Sequence, residues 1–273
     1  MIQASIKPIF VHCHIYYPEL WPELKTCIQN IHPYPFELFV TMVENHQRII
    51  NDILSSFPNA HIEIVENRGY DIGPFVYTLN KIVLDNYSYI IKLHTKRNID
   101  VNMPFPFRNM IGSIWRDNLL QFIKNKENLK NCIETFQKNP NIGMQAYYEL
   151  IVQYDIYDKA ATQGLSQYLK ERKMPEIEYA FVAGCMFIAR AKPFEEIQKL
   201  KLNLFDFPPP KTIKNSHYSQ LAHIIERFIG YIIYLNKMVI LDSSVSEKEQ
   251  KEFQENILNW INLIGAEGTA LLR

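Results

Sequence analysis

Four short apolar runs constrain this chain more than any other feature of it. PIFVHC (8–13), FELFVTMV (36–43), HIEIV (61–65) and YSYIIKLH (87–94) have the length and composition of strands. Between the first two, residues 18–30 place Leu20, Leu24, Cys27 and Ile28 at helical spacing. Between the last two, Pro74 suits a first helical position and puts Phe75, Leu79, Ile82 and Val83 on one face. Strands alternating with helices build βαβ units, so the expected fold is α/β, a Rossmann-like, mostly parallel sheet flanked by helices.

The remainder is less regular. Helices are expected over 113–124 and 127–138 and a strand over 142–148, while AFVAGCMFIAR (180–190) reads as one strand buried on both faces. RNIDVNMPFPFRNMIGS (97–113) reads as a long functional loop, and the prolines of FDFPPPK (205–211) make a stiff connection. A helix over 218–236, the short strand MVILD and a closing helix follow. In that last helix Ser246 and Glu249 form a capping box ahead of Phe253, Ile257, Trp260, Ile261 and Ile264.

Lys plus Arg, 29, equals Asp plus Glu, 29, so no overall field draws in nucleic acid, and any anion site must be local. Cys13, Cys27, Cys132 and Cys185 are scattered and read as reduced core residues. MIQASIKPIFVHCH has no signal-like apolar stretch, and nothing approaches the ~18 apolar residues of a membrane span. The expected location is cytoplasmic, with peripheral association at the inner face of a membrane left open.

In open parallel sheets, ligands bind beyond the carboxyl ends of the strands, which gives priority to polar residues there. His12 and His14 lie at and just past the end of the first run, Asn67, Arg68, Gly69 and Asp71 follow the third, and His94, Thr95, Lys96 and Arg97 lie at and just past the end of the fourth. In ENRGYDIGPF (66–75) the helix start offers N–H groups to an anion, Arg68 adds a forked cation, and Asp71 could accept from a ribose or base or cap the helix. The plainer alternative is a capped turn in which Arg68 and Asp71 pair. In YIIKLHTKRN (89–98), Lys96 or Arg97 could neutralise a departing diphosphate, the alternative being a solvated basic loop. His223 and Glu226, three apart on a helix, each suit a general base, against Glu226 simply pairing with Arg227. A metal site of His12, His14 and His94 lacks a carboxylate or cysteine companion, so no metal ligand is assigned.

ENRGYDIGPF, YIIKLHTKRN, FVAGCMFIAR and LAHIIERFIG, in that order over roughly residues 8–235, give the chain its resemblance to the rhamnan synthesis protein F family, glycosyltransferases of bacterial surface polysaccharide assembly. The resemblance implies a glycosyltransferase A-like fold. It would form a single domain over 1–273, with a nucleotide-sugar-binding half at 1–100 and an acceptor half with C-terminal helices at 101–273. Where that fold usually carries an Asp-x-Asp motif for Mn²⁺ or Mg²⁺, this chain has His94-Thr95-Lys96. Lys96 then becomes an electrostatic substitute, while Asp71 could still serve a displaced Mg²⁺ or Mn²⁺ site. By the same analogy Gly184 lies before the acceptor site, and Glu226 stands where inverting enzymes place their catalytic carboxylate.

The implied activity moves a sugar, L-rhamnose by family analogy, from a nucleotide-diphosphate sugar to a glycan or lipid-linked glycan of a surface polysaccharide or lipopolysaccharide, with inversion. The donor would lie near His12, His14, Asn67, Arg68, Gly69, Asp71, His94, Thr95 and Lys96. Glu226 or His223 would be the base, and Lys96 with Arg68 would stabilise the departing diphosphate. Two rivals stand beside this: a non-catalytic nucleotide- or glycan-binding module of a polysaccharide assembly complex, and a nucleotidyltransferase on the same half-fold.

Overall fold

A computed structural model of the chain describes residues 7–98, 112–153, 159–209 and 221–244. Most of the expected 97–113 loop, the end of the 205–211 connection, the start of the 218–236 helix and the whole closing helix lie outside the described residues.

The strands are β1 (Ile9–Ile15), β2 (Phe36–Met42), β3 (His61–Ile64), β4 (Tyr89–His94), β5 (Ile142–Ala146), β6 (Ile151–Gln153), β7 (Ala180–Val182), β8 (Phe187–Arg190) and β9 (Val239–Asp242). The α-helices are α1 (Trp21–Gln29), α2 (Gln47–Ser56), α3 (Ile72–Leu79), α4 (Ile114–Leu119), α5 (Lys126–Lys138), α6 (Lys159–Glu171), α7 (Glu195–Lys199) and α8 (Leu221–Leu235). Seven strands form one sheet in the order β3-β2-β1-β4-β8-β5-β9, and β6 pairs with β7 in a separate two-stranded sheet. Within the large sheet β3, β2, β1 and β4 are mutually parallel, β5 is parallel to β9, and β8 runs against both its neighbours. This is the expected Rossmann-like α/β architecture. The helices α2, α6 and α7 and the strand β6 have no counterpart in the expectations from sequence.

β1 and β4 are buried along their whole length. They lie at the centre of the sheet with helices over both faces, which is why their sequences are nearly continuous apolar runs. α3 is almost entirely buried, and its Phe75 ring packs 6.0 Å from Phe194 and 6.4 Å from Phe187.

Two expectations are corrected. AFVAGCMFIAR is not one strand, because β7 and β8 belong to different sheets and are joined by a turn with Gly184 at φ +79 and Cys185 at φ +51. Apolarity reported the burial of this segment and said nothing of the reversal within it; a Cβ on Gly184 would lie 2.8 Å from Leu119. The helix α3 begins at Ile72, so Pro74 is its third residue, and it stops at Leu79, leaving Val83 63% exposed.

Candidate functional site

Register sets the site. β1 and β4 pair so that His12 faces Lys92 and His14 faces His94, while β2 sets Thr41 beside His14. Side chains two apart on a strand share a face, so these five groups line one side of the sheet, beneath α3. The Thr41 hydroxyl lies 3.1 Å from His12 Nε2 and 2.9 Å from His14 Nδ1. A hydroxyl has one proton to donate, so one imidazole accepts from it and the other donates to it.

Asp71 enters from the turn before α3. Its Oδ2 accepts from Lys92 Nζ and lies 3.4 Å from His94 Nδ1. Lys92 Nζ also donates to the Cys185 carbonyl at 3.0 Å, and its side chain is 0% exposed while that of Asp71 is 20% exposed. Burial would raise the Asp71 carboxyl, yet His94 and Lys92 beside it hold it well below the usual carboxylate range. Burial likewise opposes the Lys92 charge, and the Asp71 carboxylate more than offsets it, so the ammonium is held above its ordinary value. Burial pushes His14 down to about 4 and drives His12 and His94 well below 6.5, leaving all three neutral near pH 7.

The second carboxylate comes from α8. Glu226 Oε1 accepts from the Gly184 N–H at 3.0 Å, and its Oε2 lies 3.8 Å from Arg227. Burial raises the Glu226 carboxyl, with Arg227 partly opposing, and both Asp71 and Lys96 are near enough to act on it electrostatically. Lys96 is half-buried just past β4, and its ammonium has no hydrogen-bond partner among the described residues. The His223 ring, one helical turn before Glu226, sits 5.6 Å from that of Tyr70, in the same turn as Asp71. Asp71, His94, Lys96, His14, Gly184 and Glu226 are therefore drawn from distant segments to one edge.

The other candidates are placed differently. His12 is fully buried one rung below the edge, against Phe75. The Thr95 hydroxyl accepts from the N–H groups of Tyr16 and Tyr17, both at 2.9 Å, and so ties the loop after β1 to β4. Arg68 turns away from Asp71: its Nε lies 2.7 Å from Glu66, Nη1 donates to the Phe207 carbonyl at 3.2 Å, and the guanidinium lies over Phe205. Asn67 is half-buried and makes no side-chain hydrogen bond among the described residues. Arg97 is 65% exposed and paired with Glu19, as in a solvated basic loop.

The start of α3 is not an open anion site. The Gly69 carbonyl accepts from Ile72 N at 3.0 Å and from Gly73 N at 2.9 Å, and Pro74 has no N–H to offer. Asp71 does not cap the helix, since it is drawn toward Lys92 instead. A Cβ on Gly73 would stand 2.2 Å from the Arg68 carbonyl, so the glycine is there for this tight return of the chain.

Among the described residues, the donors at this edge do not fit a Mn²⁺ or Mg²⁺ ion. Asp71 Oδ2 is occupied by an ammonium, and the neighbouring donors are imidazoles where these hard cations prefer oxygen. Among the described residues no group of three or more His, Cys, Asp or Glu is arranged to hold a metal ion.

Lys92 and Thr41 are the site residues that the sequence did not bring forward. A charge two positions before His94, inside an apolar strand, was the signal available for Lys92: period two puts both on one face. Thr41 is an ordinary strand residue and gives no such signal.

A helix-covered, mostly parallel sheet with polar groups gathered past the carboxyl ends of β1 and β4 defines a Rossmann-like α/β protein with its candidate site at the sheet edge. The chain belongs to the rhamnan synthesis protein F family, whose sequence model matches residues 2–238. A stretch of 177 residues is 26% identical to an uncharacterized protein, WxcX, of Xanthomonas campestris pv. campestris in strain B100 and in a second strain, covering 64% of this chain and 24% of that protein. The chain thus spans about a quarter of the length of the curated relatives it matches. Among solved structures, S. aureus TarS 1–349 aligns with a TM-score of 0.44 at 13% identity, over 88% of this chain and 59% of that one. The same stretch of TarS in complex with UDP-GlcNAc gives 0.42 at 11% identity, over 88% and 57%. The 4-diphosphocytidyl-2C-methyl-D-erythritol synthase of Anaerococcus prevotii DSM 20548 gives 0.39 at 12% identity, over 95% and 96%. These likenesses are too distant to bear on function.

Proposed function

We propose that the protein is a glycosyltransferase that moves a sugar from a nucleotide-diphosphate donor to a hydroxyl of a glycan or lipid-linked glycan. Membership of the rhamnan synthesis protein F family supports this reading and favours an L-rhamnosyl donor. The observation that carries it is the pair of carboxylates, Asp71 and Glu226, held from distant segments at one sheet edge beside the ammonium of Lys96, which has no hydrogen-bond partner among the described residues.

In this reading Asp71 orients the donor and Lys96 meets its diphosphate. Glu226 takes the proton of the acceptor hydroxyl as that oxygen bonds to the anomeric carbon. The bond from that carbon to the phosphate oxygen breaks, and its electron pair leaves with the nucleoside diphosphate, whose charge Lys96 stabilises. A carboxyl raised by burial is a better proton acceptor than an ordinary one; the Gly184 N–H fixes Oε1, and Oε2, 3.8 Å from Arg227 and so beyond hydrogen-bond distance of it, takes the proton. A single displacement of this kind inverts the anomeric centre. Arg68, already bound to Glu66, is given no role.

The test is incubation with a panel of sugar nucleotides that includes dTDP-L-rhamnose, following release of nucleoside diphosphate. Release that falls in Lys96→Ala is the expected result. Saturable binding without release would make the protein a binding module, and pyrophosphate exchange would make it a nucleotidyltransferase.

A further inference from the structure

Lys92 takes no direct part in the chemistry above, yet its surroundings are the most specific at the site. It stands mid-strand between Ile91 and Leu93, 0% exposed, where a charge survives only if it is paired. Its ammonium donates to Asp71 Oδ2 and to the Cys185 carbonyl, and the Phe75 ring lies 5.5 Å away. No hydrogen bond to Asp71 Oδ1 is present among the described residues, and the carboxylate reaches the surface. The second acceptor carries equal weight. Cys185 follows Gly184 in the strained turn, and the Gly184 N–H holds Glu226. One buried ammonium therefore ties together the two carboxylates of the site.

We propose that Lys92 is the resident cation of the site, a positioning residue that neutralises and holds Asp71 where a divalent metal would otherwise have to. The donor diphosphate is then bound without a metal. The identity of the guest rests on the glycosyltransferase reading; the claim about the cation does not. Removing the ammonium frees the Asp71 carboxylate, an oxygen ligand of the kind a hard cation such as Mn²⁺ prefers.

The experiment uses the full chain, with UDP and dTDP as calorimetric probes and Mn²⁺ followed by electron paramagnetic resonance. For the wild type, nucleotide affinity is expected to agree within about twofold in EDTA and in Mn²⁺, with no bound Mn²⁺ signal. Lys92→Met is expected to weaken nucleotide binding by at least about tenfold, to gain a bound Mn²⁺ signal, and to recover part of its affinity with Mn²⁺. A merely structural lysine would show neither the new signal nor the recovery. Lys92→Arg should keep most of the binding and stay metal-free, and it serves if Lys92→Met does not fold. Wild-type protein that binds Mn²⁺ and loses it in Asp71→Asn, or whose nucleotide binding vanishes in EDTA, would overturn the proposal. If neither nucleotide binds under any condition, the glycosyltransferase reading fails, and the Mn²⁺ signal still decides for Lys92: gained in Lys92→Met it supports the proposal, absent there it overturns it.

Discussion

Three neutral histidines under α3 make this fold sensitive to acid. His14 is pushed from 6.5 to about 4, and His12 and His94 lie well below 6.5, all chiefly through burial. Between those values the unfolded chain binds protons that the folded chain refuses, so their stabilisation is complete above pH 6.5 and is lost as pH falls. Each histidine contributes a slope of up to about 1.4 kcal/mol per pH unit. Glu226, raised by burial, acts in the opposite sense with a single proton. The melting temperature is therefore expected to drop steadily from pH 6.5 toward 4, and His14→Asn should flatten that profile. At the same scale, Glu226→Gln keeps the acceptor oxygen for the Gly184 N–H and removes the base. Turnover should fall by about 10²–10⁴-fold with donor KM little changed, and equal losses in kcat for His223→Ala would shift the base to the histidine.

At the scale of elements, the turn into α3 carries the most information per residue. Gly73 lies so close to the Arg68 carbonyl that a methyl group would force the chain entry open. Gly73→Ala should cost about 1–3 kcal/mol by urea unfolding, and because Asp71 rides on this turn, nucleotide affinity should fall with it. The break between β7 and β8 has a similar role on the other side of the site. It leaves a left-handed turn whose carbonyl faces Lys92 and whose N–H faces Glu226. Gly184→Ala, with a Cβ 2.8 Å from Leu119 and φ at +79, should therefore lower kcat as well as stability, read as a turnover assay beside a melting curve.

For the whole molecule, the central position of β1 and β4, buried along their entire length, predicts that their amides exchange hydrogen only through global unfolding, while those of the edge strand β3 exchange by local opening. Among the described residues no helix is long and apolar enough to cross a membrane. Periodicity announced the architecture, because strand and helix repeats follow from local geometry: PIFVHC, FELFVTMV, HIEIV and YSYIIKLH became β1 to β4 with small changes at their ends. ENRGYDIGPF and YIIKLHTKRN likewise marked Asp71, His94 and Lys96 as residues of one sheet edge, since strand ends and the turns after them are visible in a linear pattern. What needed three dimensions was the partner of each charge. Arg68 and Asp71, neighbours along the chain, point to different partners, whereas Lys92 meets a carboxylate 21 positions away and a carbonyl 93 positions away. Electrostatic pairing depends on distance in space and on burial, and neither is written in the order of residues along a strand.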